Sequence, residues 1–114
     1  MNEVIEKIEN LTLPVSDLKK AIDFYENILG LEKREEWSNY ATFNVGEIII
    51  GLDPAPKAEL QIYMRVADID DEYKTLKEKG VKFVTEPKDQ YWGGRTAMFT
   101  DPDGNKFILA TYRE

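Results

Sequence analysis

Apolar and polar residues alternate at the start of the chain and then change period. Leu11, Leu13 and Val15 alternate with Asn10, Thr12 and Pro14, which predicts a strand over 8–15 with one buried face. Leu18, Ala21, Ile22, Tyr25 and Leu29 then recur at helical spacing and predict an amphipathic helix over 17–29. Ser16 or Asp17 can cap it, because a short side-chain oxygen accepts the first N–H groups, which have no partner inside the helix. Gly30 ends it, where a left-handed residue costs a glycine least.

The following strand, 31–37, carries Glu32, Lys33, Arg34, Glu35 and Glu36 in a row. A strand so charged cannot be buried on both faces and belongs near a sheet edge. Ser38-Asn39 and Gly46-Glu47 are turns that lead into strands 40–45 and 48–52, completing a meander. Residues 53–57, with Pro54 and Pro56, form an extended linker. The order then returns: strand 59–66, helix 68–79, strand 81–85, a loop with Pro87, strand 95–100 and strand 105–112. Between the last two strands, Asp101-Pro102-Asp103-Gly104 suits a type I turn. Val15-Ser16-Asp17-Leu18 is echoed by Val66-Ala67-Asp68-Ile69, and Gly30 by Gly80, at offsets of 51 and 50 residues. The pattern is strand–helix–strand–strand–strand twice, an internal duplication with halves at about 1–53 and 58–114 in one domain of 114 residues.

Charge narrows the partners. Lys and Arg total 15 against 22 Asp and Glu, a net charge of −7, which argues against a nucleic-acid partner. The chain has no cysteine and no histidine. Disulfides and thiolate chemistry are therefore excluded, and the commonest general base and transition-metal ligand are missing. The N-terminal MNEVIEKIEN has no apolar signal-peptide core, and no run reaches the roughly 18 apolar residues of a membrane span. A cytoplasmic protein without membrane partners is expected.

Ile8–Leu31, read as I-x-N-L-T-L-x-V-S-D-L…F-Y…L-G-L, resembles the vicinal oxygen chelate superfamily of glyoxalases, bleomycin-resistance proteins and dioxygenases. V-A-D-I at 66–69, K-G-V at 79–81, and W-G-G-R…F-T-D-P-D-G-N over 92–105 extend the likeness through both halves. The resemblance implies an α+β fold of two βαβββ modules, with curved mixed sheets around an open cup. It also implies where a metal enzyme of the family would carry its ligands: Asn10, Gly51, Gln61 and Ile108. None is a carboxylate or an imidazole, and neutral amides do not neutralise a divalent ion, so no metal and no cofactor are expected. Short members of the family pair as homodimers, and that is the expected assembly here.

Strand parity from these positions brings Tyr63 and Arg65 to the side of Gln61, and Lys106 and Tyr112 to the side of Ile108. Trp37, Tyr40 or Phe43 is expected at the rim. The segment Gln90-Tyr91-Trp92-Gly93-Gly94-Arg95 sets aromatic surface beside permissive backbone. The ligand-binding residues expected are Asn10, Gln61, Tyr63, Trp92, Arg95, Tyr112 and Trp37, with no catalytic residue singled out. The function expected is metal-free small-molecule binding, similar to the bleomycin-resistance branch, that sequesters a planar or heteroaromatic ligand. The alternative is a glyoxalase-like enzyme, of lyase or dioxygenase type, with a non-histidine site. A third reading is a partner module with no small ligand.

Overall fold

Both helices start on an aspartate. The computed structural model describes residues 5–112, and in it Asp17 (φ −141°, ψ 108°) accepts the Lys20 N–H at 3.1 Å. Asp68 (φ −136°, ψ 98°) accepts the Asp71 N–H at 3.1 Å in the same way. Aspartate, not Ser16, therefore supplies the first cap. Helix α1 covers Leu18–Asp23, and a π turn continues it over Phe24–Ile28. There the Leu29 N–H donates to the Phe24 carbonyl at 2.9 Å. A π turn holds more residues than an α turn, so the apolar stripe drifts away from the core. Leu18, Ala21, Ile22 and Tyr25 pack inward, whereas Leu29 is 52% exposed, a correction to the predicted stripe. Helix α2 covers Ile69–Glu78.

The chain divides into two units, Glu9–Gln61 and Ile62–Glu114 together with Met1–Ile8. The first, called here the N-terminal unit, holds most of β1 (Ile5–Pro14) with β2 (Glu32–Trp37), β3 (Tyr40–Val45) and β4 (Ile48–Asp53). Their order is β2-β3-β4-β1, with β1 parallel to β4, so the charged β2 lies at an edge of this set. Ile22, Ala41, Phe43 and Leu52 form its core under α1. Phe43 is fully buried there, not at a rim, because Ala41 and Phe43 share the helix-facing side of β3.

The C-terminal unit contains most of β5 (Gln61–Val66), with α2, β6 (Lys82–Phe83), β7 (Lys88–Asp89), β8 (Gly94–Thr100) and β9 (Lys106–Tyr112). The order is β5-β9-β8-β6, β7 also pairs with β8, and β5 runs parallel to β9. Val66, Ile69, Ala97 and Leu109 make its core. The Thr111 hydroxyl accepts the Ile69 N–H at 3.0 Å and donates to the Val66 carbonyl at 3.1 Å, which fastens the start of α2 to β9. The strand predicted over 81–85 breaks after Phe83. Thr85 uses its side-chain oxygen, instead of its carbonyl, to accept the Met98 N–H at 2.9 Å. The class is α+β with mixed pairing and two helices. Among the described residues no helix is long and apolar enough to cross a membrane.

Candidate functional site

The C-terminal unit has a cleft of about 210 Å³ on the sheet face opposite α2, lined by Tyr63, Thr85, Gln90, Trp92, Thr96, Met98 and Ile108. Register explains the floor. Thr96 pairs with Ala110 and Met98 with Ile108, while Ala97 and Leu109, one residue along, turn into the core. The polar wall is neutral. Gln90 donates through Nε2 to the Thr96 hydroxyl at 3.0 Å, which leaves the Gln90 amide oxygen as an acceptor. The Thr85 hydroxyl accepts from Met98 and keeps its own O–H to donate.

Trp92 is the aromatic wall, held by a tight turn. Gly93 lies at φ +99° and donates its N–H to the Gln90 carbonyl at 3.1 Å, while the Gln90 N–H donates to the Gly94 carbonyl at 2.7 Å. A Cβ at Gly94 would run into the Trp92 indole, so the absent side chain is what lets the ring lie down there. The indole is edge-on to Tyr63 (6.5 Å between centroids) and tilted over Tyr112 (5.9 Å), and it stays 43% exposed. The Arg65 guanidinium sits over the Tyr112 ring at 5.1 Å.

The N-terminal unit carries a second polar group of residues on the face opposite α1. Thr12 and Thr42 both pair with Gly51, one from each side. The Thr12 hydroxyl donates to Asn10 Oδ1 at 2.8 Å and lies 3.2 Å from the Tyr40 hydroxyl. A Cβ at Gly51 would run into that same Tyr40 hydroxyl.

Of the expected ligand-binding residues, Tyr63, Trp92 and Tyr112 are brought together. Arg95 is not among them. It lies on the helix-facing side of β8, where Nη2 and Nε meet the Asp70 carboxylate at 2.8 and 3.0 Å and Nη1 meets Asp89 at 3.3 Å. Those bonds hold the Asp70 carboxyl below the usual carboxylate range and raise the Arg95 guanidinium above its ordinary value. One residue of parity separates Arg95 from the cleft. Trp37 ends β2, 48% exposed, with its ring 5.9 Å from Tyr40. Asn10 joins the Thr12 chain, and Gln61 opens β5, half-buried. Thr85, Thr96 and Met98 escaped the sequence reading. Counting by twos from Ile108 finds Met98 and Thr96 only once the β8–β9 register is known.

The ligand positions implied by family resemblance do not fit a divalent cation. Asn10 spends its carbonyl on Thr12, the space beside Gly51 is taken by Tyr40, and Ile108 is apolar and 6% exposed. Among the described residues no three His, Cys, Asp or Glu converge.

The family model of the Glyoxalase/Bleomycin resistance protein/Dioxygenase superfamily matches residues 7–109. The uncharacterized protein YraH of Bacillus subtilis is 34% identical, over 87% of this chain and 93% of that one. Metallothiol transferase FosB of Staphylococcus haemolyticus is 32% identical, over 95% of this chain and 85% of that one. The crystal structure of methylmalonyl-CoA epimerase from Mycobacterium tuberculosis superposes with a TM-score of 0.80 at 20% identity, covering 100% of this chain and 93% of that one. The epimerase shows the fold alone. The transferase overturns the expectation of a sequestering protein, because a relative this similar along nearly the whole chain carries an enzyme's name. Loss of the ligand positions argues for a binding protein, but similarity to an enzyme over nearly the full length favours the alternative.

Proposed function

The chain belongs to the Glyoxalase/Bleomycin resistance protein/Dioxygenase superfamily, and on that premise we propose that it is a small-molecule enzyme with a non-histidine site in the C-terminal cleft. The observation that carries the reading is the cleft's lining: an indole and a phenol facing a neutral row of Thr85, Gln90 and Thr96 over Met98 and Ile108. Such a pocket holds the apolar part of a substrate by burial and orients its polar part by hydrogen bonds. Thr85 and Thr96 donate toward a substrate oxygen, the Gln90 amide oxygen accepts from a substrate N–H or O–H, and Trp92 excludes water from one side. Where charge develops on an oxygen during reaction, fixed hydroxyl donors lower the barrier because they need no reorganisation. No step is routed through a metal, since the donors at the implied ligand positions do not suit one.

Group transfer from a thiol to a small electrophile is the first reaction class to test, because the similarity to metallothiol transferase FosB runs along nearly the whole chain. Glutathione and free cysteine should be offered with activated aryl halides, enones and epoxides. Loss of free thiol is followed with EDTA and, separately, with manganese or zinc. Turnover in EDTA that Thr96→Val reduces tenfold or more is expected. Turnover only with added metal, or unaffected by Thr96→Val, would end this reading. Two copies are proposed to associate in solution, in the cytoplasm, since β2 leaves an edge in the N-terminal set. Light scattering at micromolar concentration should give twice the 13.2 kDa chain mass.

A further inference from the structure

Arg95 is not part of the cleft lining, yet it ties one wall of the cleft to helix α2. That wall is the turn after β7, where Gln90 and Trp92 face the cleft. β7 is two residues long and meets β8 through two residue pairs, Lys88 with Thr96 and Asp89 with Arg95. The turn contains Gly93 and Gly94, and glycine leaves the backbone more conformational freedom than any other residue. Bonds inside the turn, from the Gln90 N–H to the Gly94 carbonyl at 2.7 Å and from the Gly93 N–H to the Gln90 carbonyl at 3.1 Å, close it. They do not fix where the closed turn sits.

Two ties on opposite faces of the sheet do. On the cleft face Gln90 Nε2 donates to the Thr96 hydroxyl at 3.0 Å. On the helix face Arg95 Nη1 donates to Asp89 Oδ1 at 3.3 Å. The ties are neighbours along both strands, because successive side chains alternate between faces. Arg95 is itself held by α2. Its Nε and Nη2 meet the two oxygens of Asp70 at 3.0 and 2.8 Å, the forked geometry that sets the plane of a guanidinium. Asp70 lies in the first turn of α2, which Asp68 caps and Thr111 fastens to β9. A fixed helix end thus orients the guanidinium, and Nη1 reaches from it to the strand that leads into the turn.

We propose that Arg95 is a positioning residue for the C-terminal cleft, a latch that carries the position of α2 through Asp89 to Gln90 and Trp92 on the other face of the sheet, and this role rests on the reading of that cleft as the functional site. It replaces the ligand contact expected of Arg95 with an indirect one. The Gln90 amide oxygen keeps its place toward a substrate while Asp89 beside it is held. Trp92 lies down over Gly94 while both ends of its turn keep their spacing. The acidic partners of the latch are exposed to solvent, so it opens more readily than a buried pair would. An open latch frees the turn to swing on the Gly93–Gly94 backbone. The cleft then widens without disturbing the core of Val66, Ile69, Ala97 and Leu109.

Amide hydrogen exchange, followed by NMR on the full chain, tests the latch without a substrate. A chain that turns nothing over but shows the changes below would refute the enzyme and keep the latch. The Gln90 N–H reports the turn, and the Leu109 N–H in the buried part of β9 reports opening of the core. Trp92 emission is read in a Trp37→Phe background, which leaves one tryptophan. Arg95→Gln should speed Gln90 exchange tenfold or more and move Trp92 emission to the red, with Leu109 exchange within twofold of the unaltered protein. Arg95→Lys, which reaches one carboxylate but cannot fork between two, should recover part of the loss. Asp89→Ala should match Arg95→Gln, and Asp70→Ala, on the helix, should speed Gln90 exchange severalfold. Combining Asp70→Ala with Asp89→Ala should add nothing to Asp89→Ala alone, because both act through Arg95. Gln90 exchange within twofold of the unaltered protein in Arg95→Gln and in Asp89→Ala would overturn the latch. So would a double variant whose effect is the product of the single ones, or a rise at Leu109 equal to that at Gln90, since either makes Arg95 an ordinary brace of the fold.

Discussion

The two units meet the same steric problem in different ways. In each, a glycine in a strand has no side chain, and an aromatic ring from nearby in the chain fills the space. In the N-terminal unit the glycine is Gly51 and the ring is Tyr40; in the C-terminal unit they are Gly94 and Trp92. Tyr40 starts a regular strand and is tied by its hydroxyl to Thr12, so its ring covers the polar row. Trp92 sits on a turn, rests on Tyr63 and Tyr112, and forms one wall of an open cleft. The ring tied by a hydrogen bond covers its sheet face, and the ring held by packing borders a cleft. A duplicated topology thus yields one covered face and one open cleft, and the difference lies in where the aromatic residue sits relative to its glycine.

The strongest way to break this comparison is Gly94→Val. Valine is compatible with the strand backbone at this position, so the cost is purely one of space. The indole must leave, and a loss of roughly 1–3 kcal/mol, typical of overpacking, is expected in denaturant unfolding. Trp92 emission should move to the red as the ring enters water, and any turnover in the cleft should fall. An unchanged emission spectrum would mean the indole does not need the space above Gly94.

Trp92→Ala comes next. A fully buried tryptophan costs about 3–5 kcal/mol on truncation. This one is 43% exposed, so roughly 1–2 kcal/mol is expected. Turnover should fall by about tenfold, which is what losing roughly 1.4 kcal/mol of binding means. A stability loss at the fully buried figure with unchanged turnover would make Trp92 a core residue.

Tyr40→Phe sharpens the other side. It removes one long hydrogen bond and keeps the ring over Gly51. The expected cost is about 0.5–1.5 kcal/mol, read from denaturant unfolding. A cost as large as that of Gly94→Val would show that the hydroxyl, and not the ring, closes the row.

The smallest effect concerns Asp70, whose carboxyl the Arg95 hydrogen bonds hold below its ordinary value. A depressed folded-state pKa gives stability that is present above the unfolded carboxylate range and is lost as pH falls through the folded value. Asp70→Asn should therefore lower stability at neutral pH slightly, because the pair is solvent-exposed, and leave it unchanged in strong acid, so that the acid limb of the stability profile flattens. Unfolding midpoints measured between pH 6 and roughly pH 2 test this. An acid limb identical to that of the unaltered protein would remove Arg95–Asp70 as its source.

How much could be read in advance follows from the range of each interaction. Asp17 and Asp68 act on N–H groups three residues away, and Gly30 and Gly80, at φ +75° and +95°, act on their own backbone. Caps, helix ends, the meander and the doubled βαβββ order are local or periodic, so the sequence alone determined them. Strand parity likewise places Tyr63 on the side of Gln61 and Tyr112 on the side of Ile108. The π turn at Phe24–Ile28, the break after Phe83 and the placing of Arg95 on Asp70 were decided only by tertiary structure. Each depends on which strand or helix comes to lie opposite, and a shift of one residue in register reverses every side chain on a strand. Thr85, Thr96 and Met98 meet around the cleft for the same reason. The orphaned hydroxyl of Thr42 is the extreme case, since nothing in A-T-F-N marks it until Gly51 and Tyr40 are set beside it. Local chemistry specified the elements, and the packing of distant parts of the chain shaped the cleft and the covered polar row.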